Sequence, residues 1–292
     1  MFLESAEFGN VSLDVVRRLR VLFKKLGWEI HGEESDEDDE EQLFDRFCTL
    51  MARLQPDEQE LLFNLTAEFL HCPLSKYSPL IKRALREIDK AKIARCHEIF
   101  FLPLISRRHI GQVKSSTALM YQCMAEAVGK IDDFKGKSCK GYEDPNLLKR
   151  HPTRSDALIL LCDDFIGTGE TAKDAIDYYN ENLRADSDMP VVVALVAQQL
   201  GADLVKGLGC DIAVTHIRKR GISDSDTLHV EAALKLMTKI EEKLRIEEKY
   251  RHGYMRSEAL VSMLRTPDNT FPVFWCSECL DNSSWPAPFI RR

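Results

Sequence analysis

The stretch that decides the fold is Leu158 to Thr171, which reads LILLCDDFIGTGET. Its apolar start has the length of a buried strand, and two adjacent carboxylates, Asp163 and Asp164, follow directly. Two glycines, Gly167 and Gly169, then mark a turn. The sequence therefore predicts a strand, a short turn carrying polar groups, and a helix that begins near the end of this stretch.

The residue types in this turn suit a ligand that carries both a sugar and a phosphate. Carboxylates accept hydrogen bonds from sugar hydroxyls or bind Mg²⁺ through water. A glycine turn lets the backbone approach a ligand closely, and a helix N-terminus offers N–H groups and a positive dipole end to phosphate. Thr168 and Thr171 add hydroxyl donors. The stretch therefore predicts a site for a ribose and its terminal phosphate.

Two other interpretations of the same turn stay open. Residues 167–172 also fit the dinucleotide pattern G-x-G-x-x-A. Against it, the acidic pair stands between the strand and the glycines, and the next predicted strand leads into Ala197-Gln198-Gln199, without a carboxylate for the ribose of NAD. The third interpretation is a strand–turn–helix that binds no ligand.

The stretch resembles the signature of type I phosphoribosyltransferases, in which an apolar strand, two acidic residues and a Thr-Gly-x-Thr turn follow one another. The resemblance implies that Asp163 and Asp164 are the catalytic residues, hold the ribose of phosphoribosyl pyrophosphate, and bind Mg²⁺, in part through water. It implies that the 5′-phosphate is bound by the turn, which comprises Gly167, Thr168, Gly169, Glu170 and Thr171.

A second group of polar residues lies in the loop from Ser106 to Ser116. In the family that the chain resembles, this position holds the pyrophosphate, and cationic and hydroxyl side chains suit that concentrated anion. The expected ligands are Arg107, Arg108, Lys114, Ser115 and Ser116. The alternatives are a solvated basic loop, and a helix start at which Ser115 or Ser116 serves only as the N-cap.

Two departures from the family pattern bear on the substrate. Purine-salvage members often carry an Asp directly before the motif threonine, where this chain has Gly167. This weakens a purine-salvage assignment and leaves the acceptor base open. In addition, residues 131–156 show no clear periodicity, so the family's second strand is not identified there.

The order of predicted elements indicates an α/β fold. Apolar runs predict strands at 99–104, 157–162, 191–196 and 212–216, separated by helices, and this alternation is typical of a parallel sheet. We expect a phosphoribosyltransferase core with helices on both faces over residues 93–292, including a helix at 230–247 and a last strand at 271–275. An all-α region over residues 1–92 precedes it, with helices near 11–30, 42–54, 58–70 and 79–91.

Composition and charge point to a globular protein of the cytoplasm. Hydrophobic residues make up 44% and charged residues 30% of the 292 residues. The first residues do not form a signal peptide, and no apolar run approaches the ~20 residues of a membrane span. Eight acidic residues in the linker 33–41 account for the net charge of −7, so direct nucleic-acid binding is not indicated.

A narrower resemblance covers most of the chain. The helical beginning, Lys114-Ser115-Ser116 and the segment from Thr266 to Trp275 are similar to phosphoribosyltransferase-like effectors of bacterial anti-phage systems, including some retron operons. This implies a toxic effector, with protein partners of a defence complex bound through the helical N-terminal region. A non-catalytic nucleotide sensor, a housekeeping nucleotide-salvage enzyme, and a helical region that only packs on the core remain alternatives.

Overall fold

The computed structural model describes residues 11–28, 43–151, 156–289 and 291, so the acidic linker at 33–41 lies outside the described residues. Contacts between Cα atoms divide the chain into two compact units. The first comprises Met1–His71 together with Arg220–Arg292, and the second is Cys72–Lys219. This division differs from the predicted boundary after residue 92, because the first unit is assembled from both ends of the chain.

The N-terminal part of the first unit is helical, as the sequence predicts. Ser12 caps its first helix, accepting the N–H of Val15 on Oγ at 3.3 Å, and Gly27 ends that helix in a left-handed conformation with φ 66°. Phe23 packs edge-on against aromatic rings on its neighbours at centroid distances of 5.1–5.3 Å. The elements are α1 (Leu13–Leu26), α2 (Leu43–Ala52), α3 (Pro56–Ala67) and the short strand β1 (Leu70–His71).

The second unit is a parallel α/β domain. In chain order its helices and strands are α4 (Tyr77–Arg86), α5 (Lys90–Arg95), β2 (Glu98–Pro103), α6 (Ser115–Lys130), β3 (Ser138–Gly141), β4 (Leu158–Ile166), α7 (Glu170–Asn182), β5 (Met189–Gln198), α8 (Gln199–Gly207) and β6 (Asp211–Arg218). The five strands lie in the order β3-β2-β4-β5-β6, and every pair is parallel. The strand β3 lies within residues 131–156, where the sequence showed no clear periodicity and no strand was identified.

Helices cover both faces of this sheet, which explains the uninterrupted apolar runs of its central strands. On one face, Ile159, Val192 and Val214 pack with residues of α7 and α8. On the other face, α6 packs against β2, β3 and β4, and α4 packs against β5 and β6. Thr215, the neighbour of Val214, donates its hydroxyl to the carbonyl oxygen of Leu80 in α4 at 2.9 Å.

The C-terminal part of the first unit contains the helix α9 (Val230–Glu241) and the strand β7 (Val261–Ser262), which pairs in parallel with β1. The helix was predicted over residues 230–247, but it ends at Glu241. The strand predicted at 271–275 is wrong, because Pro272 begins a 3₁₀ turn over Pro272–Phe274. Proline fixes φ and lacks the N–H that a sheet ladder needs.

No helix in the described part of the chain is both long and apolar enough to cross a membrane.

Candidate functional site

The candidate site lies at the edge of the sheet where the parallel strands end. Strand β2 ends level with Cys162, since Pro103 pairs with that residue, whereas β4 continues to Ile166. Asp163 therefore lies beyond the end of β2 and pairs with Ala194 of β5. Ligands of open parallel sheets bind beyond the carboxyl ends of the strands. The acidic pair is thus part of the strand, which is longer than predicted, and stands at the edge where a ligand is expected.

The two carboxylates are neighbours in β4, with Asp163 half-buried and Asp164 buried. Asp164 is 8% exposed, and its backbone N–H donates to Oδ1 of Asp163 at 3.0 Å. Burial raises the pKa of Asp163 well above its usual range, and the neighbouring charge of Asp164 raises it further. Burial also raises the pKa of Asp164, while hydrogen bonds from its neighbours act in the opposite direction. The pair is therefore placed to gain from a cation or from hydroxyl donors, since both favour ionised carboxylates.

A third side chain contacts this pair, and the sequence did not predict it. The hydroxyl of Tyr77, the first residue of α4, donates to Oδ2 of Asp164 at 3.1 Å. Both residues are buried. The sequence analysis assigned Tyr77 to the helical region before the core. A tyrosine in a segment without a motif gives no signal that it reaches a carboxylate 87 positions later.

The predicted phosphate turn leads straight into α7. Gly169 has φ 88° and accepts the N–H of Lys173 at 2.8 Å, so the first helical residue is Glu170. The first N–H groups of a helix have no partner within the helix and point toward its N-terminal end. Thr168 is half-buried, and Thr171 is exposed on the first turn. The turn thus carries backbone N–H groups and two threonine hydroxyls at the start of α7, and its role in holding a phosphate stays a prediction.

The turn is held in place by a close approach to α8. A Cβ atom added to Gly201 would lie 2.3 Å from the carbonyl oxygen of Gly167 and 2.8 Å from Cγ2 of Ile166. A Cβ atom on Gly169 would lie 2.8 Å from Cδ2 of Leu204. Gly201 is therefore a supporting residue of the site that the motif does not include. Its only sequence signal is a glycine inside a helix, where glycine costs stability.

The cationic side chains of the predicted pyrophosphate loop differ in their surroundings: one is paired with carboxylates, and two are exposed to solvent. The backbone N–H of Arg107 donates to Asp174 Oδ2 at 2.6 Å, and its guanidinium donates to Glu181 Oε2 at 3.0 Å. Both partners lie on α7, so in this conformation the Arg107 side chain is paired with protein carboxylates. Arg108 and Lys114 are exposed, which leaves their side chains accessible to an anion.

The helix α6, which follows this loop, does not begin with a serine N-cap, which was one of the predicted alternatives. The N-cap residue of α6 is Lys114, whose N–H donates to Thr117 Oγ1 at 3.3 Å. Ser115 and Ser116 are already helical residues, the first exposed and the second buried. The alternative in which one of these serines is the N-cap is therefore wrong.

Taken together, a five-stranded parallel sheet, an acidic pair near the end of its central strand and a glycine turn at a helix start define a phosphoribosyltransferase-like α/β protein. The family model named PRTase-CE matches residues 44–291. The chain belongs to the PRTase-CE family.

Comparison with solved structures gives matches that include the crystal structure of orotate phosphoribosyltransferase from Aeropyrum pernix. It is 12% identical with a TM-score of 0.31, and the similarity covers 49% of this chain and 71% of that chain. A search of curated proteins gave no match.

Because Gly201 contacts the turn, we expect the stability cost of a Gly→Ala substitution to depend strongly on its position in α8. We expect Gly201→Ala to destabilise the protein by about 1–3 kcal/mol, because overpacking forces the backbone of the turn to shift. Gly207→Ala is the matched control, since a Cβ there has no neighbour within 4 Å, and it should be neutral or slightly stabilising. Thermal unfolding of both variants measures the difference, and equal melting temperatures would contradict the packing argument.

The raised pKa of Asp163 predicts a pH-dependent stability effect. Folded protein holds the proton of this residue more tightly than unfolded chain, so stability falls as pH rises above the unfolded value of about 4. Asp163→Asn removes the charge and keeps an oxygen for the N–H of Asp164. We expect this variant to melt higher than wild type, with a gap that widens from about pH 5 to about pH 8.

The control for this measurement is Asp186→Asn, at an exposed position of the same unit. Its melting temperature should follow that of wild type at every pH. A gap for Asp163→Asn that stays constant with pH, or a variant less stable than wild type, would show that the carboxylate is not held in its neutral form by burial.

Proposed function

We propose that the chain binds phosphoribosyl pyrophosphate or a related ribosyl phosphate and acts as a phosphoribosyltransferase. The observation that carries this proposal is the pair of a half-buried Asp163 and a buried Asp164, two residues before the glycine turn at the start of α7. The pair would accept hydrogen bonds from the ribose hydroxyls. The turn from Gly167 to Thr171 would hold the 5′-phosphate through backbone N–H groups and the hydroxyls of Thr168 and Thr171.

The donor set also fits Mg²⁺. Mg²⁺ in phosphate sites is bound by one or two carboxylates, with substrate oxygens and water completing its shell. Asp163 and Asp164 would supply those carboxylates. Among the described residues, no three His, Cys, Asp or Glu side chains are grouped so that they could hold a metal ion. When bound, it would neutralise charge on the leaving pyrophosphate.

The proposed reaction is a displacement at C1 of the sugar. The bond between C1 and the pyrophosphate oxygen breaks with its electron pair leaving on that oxygen, and the acceptor forms the new bond at C1. Positive charge develops on the sugar ring in the transition state, and the two carboxylates lie where they can stabilise it.

The loop after β2 would bind the pyrophosphate. Lys114 and Arg108 are exposed cations in this loop, and Ser115 and Ser116 open the 16-residue helix α6, whose N-terminus favours anions. Arg107 would join them only by leaving Asp174 and Glu181. Both partners of the Arg107–Glu181 contact are about half exposed, so their separation costs little.

We further propose that the activity harms the host cell during phage infection, as part of a bacterial defence system such as a retron. Support comes from the helical addition before the core, the absence of a purine-directed base at Gly167, and the similarity around Lys114 and Thr266 to Trp275. Partners would bind through the helical N-terminal region. All nine cysteines are free, which suits the reducing cytoplasm.

The first test of this proposal is ligand binding. Replacing both Asp163 and Asp164 by Asn keeps their shape and removes their charge. We expect at least ~10-fold weaker binding of Mg²⁺–phosphoribosyl pyrophosphate, because a charge-assisted hydrogen bond contributes about 1.5–3 kcal/mol. Calorimetry on the folded double variant measures this, with Asp186→Asn as control. Unchanged affinity in the double variant would overturn the assignment of the site.

The effector role is tested by growth. Expression without its neighbouring genes should slow growth, and the Asp163→Asn, Asp164→Asn variant should accumulate without harm, because catalysis at C1 needs the sugar to be bound. Plating and growth curves with and without phage measure this. If wild type and variant are equally harmless in every condition, the protein is a sensor or a metabolic enzyme. If both are equally toxic, the harm does not come from the sugar-phosphate site.

A further inference from the structure

A Cys-x-x-Cys pair near the end of the chain belongs to the first unit, away from the residues of the candidate site. It comprises Cys276 and Cys279, which are 5% and 7% exposed and pack in the apolar core of that unit. Both thiols are free. Because this spacing is typical of dithiols that interconvert with a disulfide, the surroundings of the two thiols decide whether they can react.

The fold brings the two cysteines together at one end of a hairpin. The thiol of Cys276 donates to the carbonyl oxygen of Glu278 at 3.3 Å, and that carbonyl belongs to the peptide group that continues into Cys279. The N–H of Cys279 donates to the carbonyl oxygen of Ser283 at 2.8 Å, beside an antiparallel bridge between Glu278 and Ser284. Cys276 therefore lies directly beside the residue with which it would form a disulfide.

The surroundings of Cys276 make it the slower of two attacking thiols. Burial raises the pKa of the Cys276 thiol, and the neighbouring Cys279 also acts to raise it, against hydrogen bonds from the backbone. A thiol with a raised pKa holds little of the thiolate form, which is the nucleophile. Cys276 is therefore suited to the second step of an exchange reaction, in which its partner is already bound beside it.

Cys279, in contrast, lines a cavity that can admit a small molecule. The cavity has a volume of about 380 Å³, which lies in the range of pockets that bind small ligands. Trp285 contributes an apolar wall, and the charged residues that line the cavity are Arg53, Lys243 and Asp281. All of them belong to the first unit. A reagent bound in this cavity therefore meets Cys279.

The charges of the cavity match a molecule that carries both carboxylate and ammonium groups. Lys243 is neutralised by Glu58, since it donates to both carboxylate oxygens of that residue at 2.9 Å. Arg53 and Asp281 are exposed and carry opposite charges. A glutathione-type disulfide has carboxylates, which suit the guanidinium of Arg53, and ammonium groups, which suit Asp281. This class of peptide disulfide therefore fits the cavity by charge.

We propose that Cys276 and Cys279 form a redox modification site, in which a glutathione-type disulfide enters the cavity, reacts with Cys279 and leaves the two cysteines joined by a disulfide. Disulfides of cytoplasmic proteins are usually transient and serve catalysis or redox sensing. The proposal concerns the first unit alone, and it does not depend on the function proposed for the acidic pair and its turn in the second unit.

The reaction is a thiol–disulfide exchange in two steps. The Cys279 sulfur loses its proton and attacks one sulfur of the small disulfide, whose S–S bond breaks so that its other half leaves as a thiolate. The Cys276 sulfur then loses its proton and attacks the Cys279 sulfur, and the second half leaves as a thiolate. The two thiolates take up the two protons. The protein pair is oxidised by two electrons, and the small disulfide is reduced to two thiols.

The experiment uses the reduced full chain and an internal control pair. The thiols of Cys123 and Cys162 hydrogen-bond to each other, and both residues are fully buried in the second unit. The chain is incubated with excess glutathione disulfide, the remaining thiols are alkylated at set times, and the disulfides are mapped by mass spectrometry. We expect the Cys276–Cys279 disulfide to form at least several-fold faster than a Cys123–Cys162 disulfide, because the two pairs differ in access.

Three variants test the assigned roles. Cys276→Ser should retain one glutathione on Cys279, because the thiol that displaces it is missing. Arg53→Gln should slow oxidation by glutathione disulfide several-fold and leave oxidation by the neutral hydroxyethyl disulfide unchanged. Arg17→Gln is the matched control, since Arg17 is an exposed cation of α1, and it should oxidise like wild type with both reagents.

Two results with the wild-type chain would overturn the proposal, and neither depends on a variant that folds. One is a Cys276–Cys279 pair that stays reduced in excess glutathione disulfide. The other is equal oxidation of the Cys123–Cys162 pair, which would show that unfolding and not the cavity gives the reagent access. Equal slowing of both reagents by Arg53→Gln would overturn the role of charge in admitting the disulfide.

Discussion

The placement of two neighbouring carboxylates near the end of β4, one half-buried and one buried, is the constraint on which the rest of the candidate site depends. Asp163 and Asp164 stand in a strand that is paired with β5; Asp164 is buried, and Asp163 is half-buried. Burial and mutual repulsion raise the pKa of Asp163. A core without a ligand would be more stable with apolar residues at these positions. Under the proposed function, a sugar or a cation would supply further partners for these carboxylates.

The surrounding elements serve to hold this pair and the turn after it. Tyr77 of α4 donates to Asp164, and Gly201 of α8 lets the carbonyl oxygen of Gly167 approach its backbone. Each contact joins the β4–α7 connection to a different helix, one on each face of the sheet. The position of the turn is therefore set by the packed sheet and helices and not by the turn's own sequence, and functional groups supported in this way are positioned more precisely than groups on a free loop.

The sequence was sufficient for the α/β class, the main strands and the acidic pair with its turn, because these depend on local patterns: apolar runs, adjacent carboxylates and glycines. It was insufficient where distant segments meet. The contacts of Tyr77 with Asp164 and of Gly201 with Gly167 join residues without any shared motif. Arg107 fitted a phosphate ligand by residue type, yet its partners on α7 could not be foreseen from the loop. Strand β3 is short and only partly buried, so it leaves no apolar run to detect.

The position of Tyr77 also bears on where the unit that contains the motif begins. A boundary after residue 92 leaves α4 outside the core, although that helix packs against β5 and β6 and supplies the hydroxyl bonded to Asp164. The compact unit begins instead at Cys72, whose thiol lies within the influence of the same carboxylate. A core cut at residue 93 would therefore retain the whole motif and still lack a donor to one of its two acids. The motif marks the candidate site, and the compact unit that contains it starts about one helix before residue 93.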